Sequence, residues 1–589
     1  MDHAKLAALL EDVALYMELL GENPFKVRAH KNGARIVETT SEDLEKCIRE
    51  NTLGQIKGIG PGLKQKIEEY SRTGMLSEAI DLKSRIPAGV LVLLKIPGLG
   101  PKKAKLVYEK LKIDSVEALE TACRENRIAP ISGFGEKTQS KILQNLEFLK
   151  KQRNRFLFSD AELEAKLLFS YLRSLSSVSK LEPSVLDVAI VGALRRKLEV
   201  VKGIGILVSV DSEDLALLPL IQKIKEYPAL LKASLEQTED TLQFEIESGL
   251  RCKIKFVEPK EYPFQMMMLT GNKKHIEELK SLAESQNLTL SSTCLTNKES
   301  GAEIFCATEK DIYSKLKLDF IEPELREGLG EVEKSQKREL PVLVELRNLK
   351  GIFHCHTTAS DGVNSLEEMV AGAQALGYEY IGISDHSASS IAYANGLIEE
   401  RVLSQFAQIE ALQSRFKIKI FRGIESDILA DGSLDYEPEL LRKFDFVIGS
   451  VHSGFSQAKE VMTARVLKAI ANPYLDFLGH PTGRLLLSRD GFQIDMEQVI
   501  SAAAGSGVAV EVNASPQRLD MDWRHGTYLK GKKGIVSINP DAHSVASLED
   551  VEYGIGIARK AWLTSVEVIN TLSAKDILRS LRRARGSGN

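Results

Sequence analysis

The chain has 589 residues, of which 43% are hydrophobic and 27% are charged, and its formal net charge is −4. This length excludes a single core and predicts about three to five globular domains. The six cysteines are scattered without a CxxC pair, and we find no secretory signal and no long apolar span. We therefore expect a cytoplasmic, monomeric protein without a membrane segment.

Charge and histidine are distributed unevenly along the chain. Residues 51–112 contain twelve Lys or Arg against five Asp or Glu, so this region is basic although the whole chain is slightly acidic. Such a region is compatible with nucleic acid as a partner. Seven of the ten histidines fall in the last 240 residues, namely His354, His356, His386, His452, His480, His525 and His543. This second bias is a first indication of metal chemistry.

The first segments are predicted to be helical. Apolar residues recur at helical spacing from Leu6 to Leu20, residues 21–24 stop this helix, and residues 25–38 form a second one. Three related glycine turns follow, each leading into a helix with basic residues: residues 56–63, 96–103 and 131–138. Glycines let the backbone approach a ligand closely, and N–H groups at a helix start can hold a phosphate without reading a base.

These turns are similar to helix-hairpin-helix elements, and with residues 21–29 before them they resemble the amino-terminal part of family X DNA polymerases. The resemblance implies DNA binding at Gly58, Gly60, Gly98, Gly100, Gly133, Gly135, Lys102 and Lys103. It also places Lys66, with Lys64 beside it, where the family can carry a lysine that forms a Schiff base with an abasic sugar. That chemistry requires the neutral amine. A phosphate contact is the alternative role for Lys66.

The resemblance continues through a nucleotidyltransferase-like α+β palm and a thumb. Residues 190–196 lie where the family has its nucleotide-binding turn, residues 269–275 resemble the thumb motif, and residues 318–327 match the segment that closes the core. The predicted divisions are a lyase-like helical domain 1–80, a fingers-like domain 81–150, palm 151–260, thumb 261–328, charged linker 329–345, a C-terminal domain 346–575 and a tail 576–589.

The palm lacks the metal ligands that nucleotidyl transfer needs. The family holds two divalent ions with carboxylates, but Gly203 and Gly205 occupy two of these positions and Lys253 occupies the third. A lysine at such a position repels the ion, which is worse than an absent ligand. We therefore expect a palm that has lost polymerase activity, unless Asp211 or Glu199 substitutes.

The region after the linker alternates short apolar runs with helical stretches. The predicted strands are residues 351–354, 378–384, 418–424, 444–450, 474–479, 507–512 and 534–539. Seven strand–helix units predict a distorted parallel (β/α)7 barrel, in which active-site groups gather at the carboxyl ends of the strands. His354 and His356 are two residues apart at the end of the first strand and therefore point together, with Asp361 close behind. This arrangement is the start of a metal site.

The other strand ends also carry histidines or carboxylates, and together they resemble the polymerase and histidinol phosphatase (PHP) domain. The nine ligands of that family map onto His354, His356, Asp361, His386, Glu425, His452, His480, Asp541 and His543. The resemblance implies three divalent ions. The first is held by His354, His356, Glu425 and Asp541, the second by Glu425, His452 and His480, and the third by Asp361, His386 and His543. Nitrogen-rich ligands with carboxylates suit Mn²⁺ or Zn²⁺.

The chemistry expected from this resemblance is phosphoester hydrolysis, in which metals activate water and neutralise charge without a side-chain nucleophile. Arg484 is a candidate to grip the substrate phosphate with its planar guanidinium; a salt bridge on the barrel surface is the alternative. Asp385 is a candidate to orient a neighbouring ligand.

The sequence thus predicts a multidomain α/β protein, with helix-hairpin-helix domains, a palm and thumb, and a C-terminal PHP barrel. The expected function is a metal-dependent 3′–5′ exonuclease, or a phosphodiesterase that processes 3′ ends, gaps or abasic sites of DNA in base excision repair. Three alternatives stay open: an active family X polymerase with a PHP exonuclease, a PHP small-molecule phosphatase, and a non-catalytic DNA scaffold.

Overall fold

A computed structural model describes residues 3–40, 43–56, 58–94, 96, 99–177, 183–211, 217–390 and 394–581. The chain forms two compact units, Met1–Arg153 and Asn154–Asn589. Gly98, which belongs to the predicted DNA contacts, and residues 582–589 of the predicted tail lie outside the described residues.

The first unit is helical. Its helices are α1 (His3–Leu20), α2 (Pro24–Thr39), α3 (Leu44–Arg49), α4 (Pro61–Thr73), α5 (Ser77–Ser84), α6 (Ala88–Leu93), α7 (Pro101–Leu111), α8 (Val116–Arg124) and α9 (Gly135–Gln152). The start of α2 is fixed by the Asn23 side chain, which accepts a hydrogen bond from the Phe25 N–H, and by Pro24 in the first turn. Buried apolar side chains from most of these helices, such as Leu6, Leu10 and Ile67, form one core.

The second unit begins with the palm. Its elements are β1 (Phe156–Leu157), α10 (Phe158–Ser174), β2 (Ser184–Val191), α11 (Gly192–Arg195), β3 (Val200–Val201), β4 (Ile204–Asp211), α12 (Leu218–Ile224), β5 (Leu230–Gln237), β6 (Thr241–Ile246) and β7 (Arg251–Val257). The main sheet has the strand order β2-β4-β7-β6-β5. Only β4 and β7 pair in parallel, and this pairing sets Gly205 directly opposite Lys253.

The thumb follows the palm. Its elements are α13 (Tyr262–Thr270), α14 (Lys273–Ser285), β8 (Leu288–Leu290), β9 (Leu295–Asn297), β10 (Glu303–Ile304), α15 (Glu309–Lys315) and α16 (Glu331–Gln336). The last helix lies inside the segment 329–345 that was predicted as a linker. Its buried Glu331 accepts a hydrogen bond of 2.7 Å from Nδ1 of His275 on α14, and Val332 joins the thumb core. Residues 331–336 therefore pack as part of the thumb. The many charged residues of the segment predicted an exposed linker, but one of them, Glu331, is buried against His275.

The C-terminal domain is a nearly closed barrel of seven parallel strands in sequence order. The strands are β11 (Gly351–Cys355), β12 (Tyr380–Ile383), β13 (Lys419–Asp427), β14 (Phe446–Ser450), β15 (Phe477–Leu478), β16 (Ala509–Asn513) and β17 (Val536–Asn539). The helices are α17 (Leu366–Ala375), α18 (Glu399–Gln413), α19 (Pro438–Leu441), α20 (Lys459–Ala471), α21 (Met496–Ser506), α22 (Gly526–Gly531), α23 (Val551–Lys560) and α24 (Ala574–Ser580). A parallel bridge between Cys355 and Ala542 brings the first and last strands together. The predicted (β/α)7 barrel is confirmed.

Aromatic side chains fill the barrel interior below the strand ends. The Phe353 ring lies 4.8 Å from the Phe446 ring and 4.9 Å from the Phe477 ring, measured between centroids. Gly423 gives Phe446 its space, because a Cβ on Gly423 would lie 2.1 Å from that ring. Because these rings fill the interior, the polar side chains gather at the carboxyl ends of the strands.

Within the second unit the barrel packs against the palm and thumb through buried polar contacts. The Lys560 ammonium on α23 is buried and donates hydrogen bonds to Glu327 of the thumb and, at 3.2 Å, to the Arg196 carbonyl. Glu199 of the palm accepts hydrogen bonds from the Trp523 indole at 3.0 Å and from Arg524 at 2.9 Å. These contacts join the barrel to the polymerase-like core.

In the part of the chain described here, none of the helices combines the length and the apolar character that crossing a membrane requires.

Candidate metal centre

The nine predicted metal ligands come together at the carboxyl ends of the barrel strands. Among the described residues, four overlapping groups have ligand atoms within 4.8 Å of one another: His356, Asp361, His386 and His543; His354, Glu425 and His480; His354, His356 and Asp541; and His386, Glu425 and His452. Every predicted ligand belongs to at least one group. The residues therefore form one continuous cluster, although they come from most of the barrel strands.

Glu425 stands at the centre of this cluster. Its Oε1 lies 3.2 Å from Nε2 of His354, 3.3 Å from Nε2 of His452 and 3.0 Å from Nε2 of His480. Its Oε2 lies 2.9 Å from Nδ1 of His386. A carboxylate with imidazoles on both of its oxygens is well placed to bridge two ions.

Two further carboxylates, Asp541 and Asp361, lie beside histidines of the cluster. Oδ1 of Asp541 lies 3.4 Å from Nε2 of His354 and 3.3 Å from Nε2 of His356. Oδ2 of Asp361 lies 3.5 Å from Nε2 of His386 and 3.4 Å from Nε2 of His543. The predicted first and third ligand sets thus recur as neighbours. The predicted second set also converges, because Nε2 of His452 and Nε2 of His480 both approach Oε1 of Glu425.

Several buried polar atoms in the cluster have polar neighbours but make no well-aligned hydrogen bond among the described residues. They are Nε2 of His354, both ring nitrogens of His356, Oε2 of Glu425 and Nδ1 of His480. An unsatisfied buried polar atom costs about 1–3 kcal/mol, so this concentration is typical of a site that binds a ligand from outside the protein. Nitrogen and carboxylate oxygen are donors that Mn²⁺ and Zn²⁺ both accept. The residues therefore fit divalent metal ions.

The electrostatics of the cluster also suit cations. Burial alone would raise the pKa of Glu425, but the surrounding His354, His452 and His386 hold it well below its ordinary value. Burial lowers the pKa of His356 to about 4, helped by the neighbouring His543 and His386. Glu425 and the other neighbouring carboxylates instead raise the pKa of His386 to about 10 and that of His452 to about 9, against the effect of burial. The cluster therefore attracts positive charge, and these rings release a proton when they bind a metal.

Two further carboxylates orient the ligands from outside the cluster. Oε1 of Glu511 accepts a hydrogen bond of 2.6 Å from Nδ1 of His354, and its Oε2 accepts one of 2.6 Å from the His480 backbone N–H. Oδ1 of Asp427 accepts one of 2.7 Å from Nδ1 of His452. The two bonds to Nδ1 turn Nε2 of His354 and Nε2 of His452 toward the cluster. The sequence places both carboxylates at strand ends but does not show these roles.

Asp385 fixes a turn, whereas the sequence predicted that it would orient a neighbouring ligand. Its Oδ1 accepts hydrogen bonds from the backbone N–H groups of Thr357 at 2.8 Å and Ser360 at 3.1 Å. Its Oδ2 accepts one of 2.6 Å from the Gln405 side chain. This turn connects His356 with Asp361, so Asp385 sets the distance between two predicted ligands through the backbone.

The backbone has a positive φ at three predicted ligands. His354 has a φ of 56°, Asp541 has a φ of 54° and His480 has a φ of 20°, although none of them is glycine. Left-handed backbone at such residues costs on the order of 1–3 kcal/mol and persists only where the surroundings enforce it. Here the strain aims the side chains of His354 and Asp541 at the same point, since His354 Nε2 and Asp541 Oδ1 are 3.4 Å apart.

Arg484, the predicted phosphate-binding residue, is engaged within the protein. It donates to the Arg518 carbonyl at 2.9 Å, to Asp522 at 2.7 Å and to the Leu519 carbonyl. Arg518 instead lies at the cluster, with its Nε 3.3 Å from Oδ2 of Asp541 and its side chain 21% exposed. Sequence reasoning missed Arg518, because the only signal is a lone arginine in the loop after β16.

The palm cleft carries no comparable ligand set. A cavity of about 480 Å³ is lined by Gly203, Gly205 and Lys253, with Glu236 and Glu245 on neighbouring strands. All groups of possible metal ligands among the described residues lie in the barrel. A Cβ built on Gly203 would lie 2.5 Å from the Arg251 carbonyl oxygen. A side chain at position 203, where the family resemblance predicts a carboxylate, would therefore require the Arg251 backbone to move.

The two candidate substitutes for the palm carboxylates do not stand at the palm positions. The two arginines of the nucleotide-binding turn contact the thumb. Glu199 is bound to the barrel, as described above, and Asp211 stands at the far end of β4, opposite Ser184. Arg195 donates to Glu309 of the thumb at 2.8 Å, and Arg196 donates to Glu327 at 2.8 Å. These contacts tie the turn to the thumb.

The glycine turns of the first unit leave open space at their helix starts. Gly60 precedes α4 and Gly100 precedes α7, and a Cβ on either residue, or on Gly133 or Gly135, would meet no atom within 4 Å. Gly58 differs, because Ile36 packs against it at 2.5 Å from such a Cβ. Open glycines beside exposed helix starts are accessible to a phosphate backbone.

The lysines of the first unit have distinct surroundings. Lys102 is exposed, and the Lys103 ammonium lies 5.5 Å from the Phe134 ring centroid. Lys66 forms an ion pair with Glu78. Lys64, expected beside it, donates to Asn51 at 2.6 Å. A Schiff base would require Lys66 to leave Glu78 and to react as the neutral amine.

Comparisons with known proteins agree with this architecture. Four family profiles match the chain: a helix-hairpin-helix domain at residues 1–76, a SAM-like helix-hairpin-helix tandem at residues 90–147, the DNA polymerase beta thumb at residues 265–327, and the PHP domain at residues 353–515. The polymerase-type core and the barrel are thus both recognised. Helix-hairpin-helix and polymerase thumb domains imply DNA binding, and PHP domains are metal-dependent.

Relatives match the chain over its whole length or over about a third of it. A protein named DNA polymerase/3′-5′ exonuclease PolX, from Bacillus subtilis (strain 168), is 34% identical over 99% of this chain and 100% of its own length. A probable phosphatase of Caldicellulosiruptor bescii is 35% identical over 28% of this chain and 64% of its own length. A probable phosphatase of Thermoanaerobacter sp. (strain X514) is 28% identical over 37% of this chain and 89% of its own length.

Helix-hairpin-helix elements, a polymerase thumb and a barrel of metal ligands in one chain define a DNA-binding enzyme of the polymerase type. Full-length similarity to PolX makes the assignment specific: the chain belongs to the family X DNA polymerases that carry a PHP domain.

Proposed function

We propose that this protein is a metal-dependent 3′–5′ exonuclease and a phosphodiesterase that processes 3′ ends and abasic sites in DNA repair. The observation that carries the proposal is the set of nine converging ligands at the barrel mouth, beside a palm in which Gly203, Gly205 and Lys253 line the cleft. Of the two centres that the family resemblance leads us to expect, only the barrel has its donors in place. Hydrolysis is therefore the chemistry that this chain supports.

Three divalent ions, Mn²⁺ or Zn²⁺, are proposed for the barrel, held by the nine residues named above. When bound, such ions activate water and neutralise the charge that develops on a phosphoryl group. The protein's own contribution is orientation. Glu511 and Asp427 hold the His354 and His452 rings by their Nδ1 atoms, so that Nε2 of each ring is presented inward.

Arg518 is the residue we propose for contact with the scissile phosphate. Its guanidinium lies at the cluster, 3.3 Å from Asp541, and the side chain is partly exposed to solvent. A planar guanidinium binds two phosphate oxygens at once. Arg484 supports this function indirectly, since its hydrogen bonds to the carbonyls of Arg518 and Leu519 hold the loop that carries Arg518.

DNA is the proposed substrate because the first unit is built to hold it. Gly60, Gly100, Gly133 and Gly135 leave their helix starts open, and residues 51–112 carry an excess of seven positive charges, twelve against five. Contacts of this kind bind the phosphate backbone without reading sequence. The ion pair of Lys66 with Glu78 does not favour lyase chemistry, so lyase activity is not part of the proposed function.

A polymerase activity is the alternative that the name of the Bacillus subtilis relative favours. In the palm of this chain, however, Lys253 stands directly opposite Gly205, and an ammonium there opposes the binding of a divalent ion. The close approach of the Arg251 carbonyl to Gly203 leaves no room for the side chain of an aspartate. We therefore propose that nucleotidyl transfer has been lost.

A small-molecule phosphatase is the alternative that the two barrel relatives favour. It differs from the proposed function in substrate, so one comparison separates them. Purified protein with Mn²⁺ should shorten a 5′-labelled DNA strand one nucleotide at a time from its 3′ end, and a chelator should stop the reaction. Rapid hydrolysis of 4-nitrophenyl phosphate without any shortening of DNA would establish the phosphatase. Inactivity toward both substrates with every divalent metal would leave the scaffold.

A further inference from the structure

Two loops beside the metal centre build a stack of planar groups that the hydrolytic chemistry does not use. Phe455 lies three residues after His452, and its ring is nearly parallel to that of Phe492, at 8° and 5.9 Å between centroids. The guanidinium of Arg489 lies 4.4 Å from the Phe455 ring centroid. Phe492 is buried, whereas Phe455 and Arg489 are partly exposed. The stack therefore runs from the barrel core to its surface.

The stack is attached directly to the metal centre. Arg489 donates a hydrogen bond of 2.8 Å to the Gly483 carbonyl, and the Gly483 N–H donates one of 2.9 Å to the His480 carbonyl. Both aromatic rings border Gly483, because a Cβ there would lie 2.7 Å from Phe492 and 3.5 Å from Phe455. The stack therefore contacts the turn that begins at the predicted ligand His480. Its Phe455 also comes soon after the predicted ligand His452 in the chain.

Positive charge links the stack with the cluster. The loop that carries Arg489 is bound to the loop that carries Arg518, because the Leu486 N–H donates a hydrogen bond of 2.6 Å to the Gln517 carbonyl. Arg518 in turn contacts Asp541. Two cations beside a planar surface match a nucleotide, which has a negative phosphate on one side and a flat base on the other.

We propose that Phe455 and Arg489 form a stacking platform for the base of the 3′-terminal nucleotide, so that the scissile phosphate reaches Arg518 and the metal ligands. This inference rests on the proposed function and deepens it, since it names the part of the substrate that the site recognises. Bases stack on aromatic rings and on guanidinium planes without regard to sequence. A platform of this kind favours a nucleic acid over a small phosphoester while accepting any base.

The test pairs a change in the substrate with a change in the protein. Two 5′-labelled strands differ only at the 3′ end, where one has a normal nucleotide and the other has a tetrahydrofuran residue without a base. With Mn²⁺, the wild-type protein should cleave the normal end more efficiently in kcat/KM, by roughly 5- to 100-fold, the range typical of one stacked base. Phe455→Leu keeps apolar volume but removes the plane, and should reduce this ratio toward one.

Arg489→Lys is the second variant, because it keeps the charge and removes the guanidinium plane; it should also lower the ratio. Phe416→Leu is the matched control. Phe416 is another partly exposed phenylalanine of the barrel domain, with the Arg415 guanidinium 6.0 Å from its ring centroid, but it precedes β13 at the opposite end of the barrel. This control should keep the wild-type ratio, and metal content measured by atomic absorption should match among all variants.

The outcomes separate the two proposals. If the wild-type protein shortens DNA but Phe455→Leu and Arg489→Lys keep its full preference for a terminal base, the platform is disproved and the exonuclease stands. Equal slowing of both strands would show that Phe455 only packs the loop, which also disproves the platform. A wild-type protein that leaves both strands intact would overturn the exonuclease and the platform with it.

Discussion

The barrel mouth and the palm cleft both receive side chains from adjacent parallel strands, yet they present opposite chemistry. In the barrel, strand ends place four histidines around the Glu425 carboxylate, with ring nitrogens 2.9 to 3.3 Å from its oxygens. In the palm, the parallel pair β4 and β7 delivers Gly205 opposite Lys253. The comparison teaches that a fold can keep its cleft while the residues in that cleft decide whether a metal binds.

The two regions also differ in how their backbones are used. Positive φ angles at His354 and Asp541 aim side chains inward, whereas in the palm the Arg251 carbonyl lies against Gly203 at the edge of an open cleft. Strain is maintained where ligands must converge. At position 203 of the palm, that carbonyl occupies the space that a Cβ would need.

The largest expected effect comes from removing a barrel ligand. His354→Ala should abolish Mn²⁺-dependent shortening of DNA, a loss greater than the roughly 10- to 100-fold typical of residues that only support a ligand. The rate of shortening on a denaturing gel gives the measurement. His525→Ala is the control, since His525 is a barrel-domain histidine outside the four ligand groups. Wild-type activity in His354→Ala would show that the barrel cluster is not the hydrolytic site.

Introducing carboxylates at the three palm positions tests whether the palm cleft can support nucleotide addition. The triple change Gly203→Asp, Gly205→Asp and Lys253→Asp should not produce primer extension, because the Arg251 carbonyl obstructs position 203. Crowding of this kind should also lower the free energy of unfolding by about 1–3 kcal/mol in Gly203→Ala alone, measured by urea titration.

Gly205→Ala is the matched control for the crowding, since its new Cβ would meet a Val191 methyl group at 3.1 Å and no closer backbone atom. It should destabilise the protein less than Gly203→Ala. Nucleotide addition by the triple variant would show that the cleft had lost nothing but its carboxylates.

The change Glu511→Gln tests whether a carboxylate outside the cluster supports metal binding by the barrel. Glu511 holds the His354 ring and the His480 backbone together, so its loss should weaken Mn²⁺ binding by about 10- to 100-fold. Competition with a chelating dye gives the affinity without reference to activity. The exposed Glu497→Gln on α21 should bind Mn²⁺ as the wild type does. Unchanged affinity in Glu511→Gln would show that the cluster needs no outer carboxylate.

The smallest expected effect concerns the junction between the two regions. Lys560→Met removes the buried ammonium that contacts Glu327 and the Arg196 carbonyl. Arg196 still neutralises Glu327, so the cost should be about 1–3 kcal/mol, below the 3–5 kcal/mol of a fully unpaired buried charge. Urea unfolding measures it. The exposed Lys575→Met should change stability by less than about 0.5 kcal/mol, and equal stability of the two variants would contradict the role of Lys560.

Much of the barrel could be predicted from sequence because its signals are local. Each ligand follows a short apolar run, and the rule that parallel strands gather their ends places the ligands together. The hydrogen-bond partners that orient the ligands could not be predicted, since Asp427 and Glu511 reach His452 and His354 from other strands of the barrel.

The misplaced expectations have a common cause. Arg484 and Arg518 look alike in sequence, and only the fold of their loop shows that the former binds carbonyl groups and the latter reaches Asp541. Likewise Glu331 looks like part of an exposed linker until His275 is found as its buried partner. Pairings between residues far apart in sequence leave no periodic pattern.

A paired assay on one preparation tests the central claim most directly. Shortening of a 5′-labelled DNA strand and addition of labelled nucleotides to a primer should be measured side by side with Mn²⁺. The account predicts shortening from the 3′ end without addition. Addition of nucleotides without shortening would place the chemistry in the palm and contradict it.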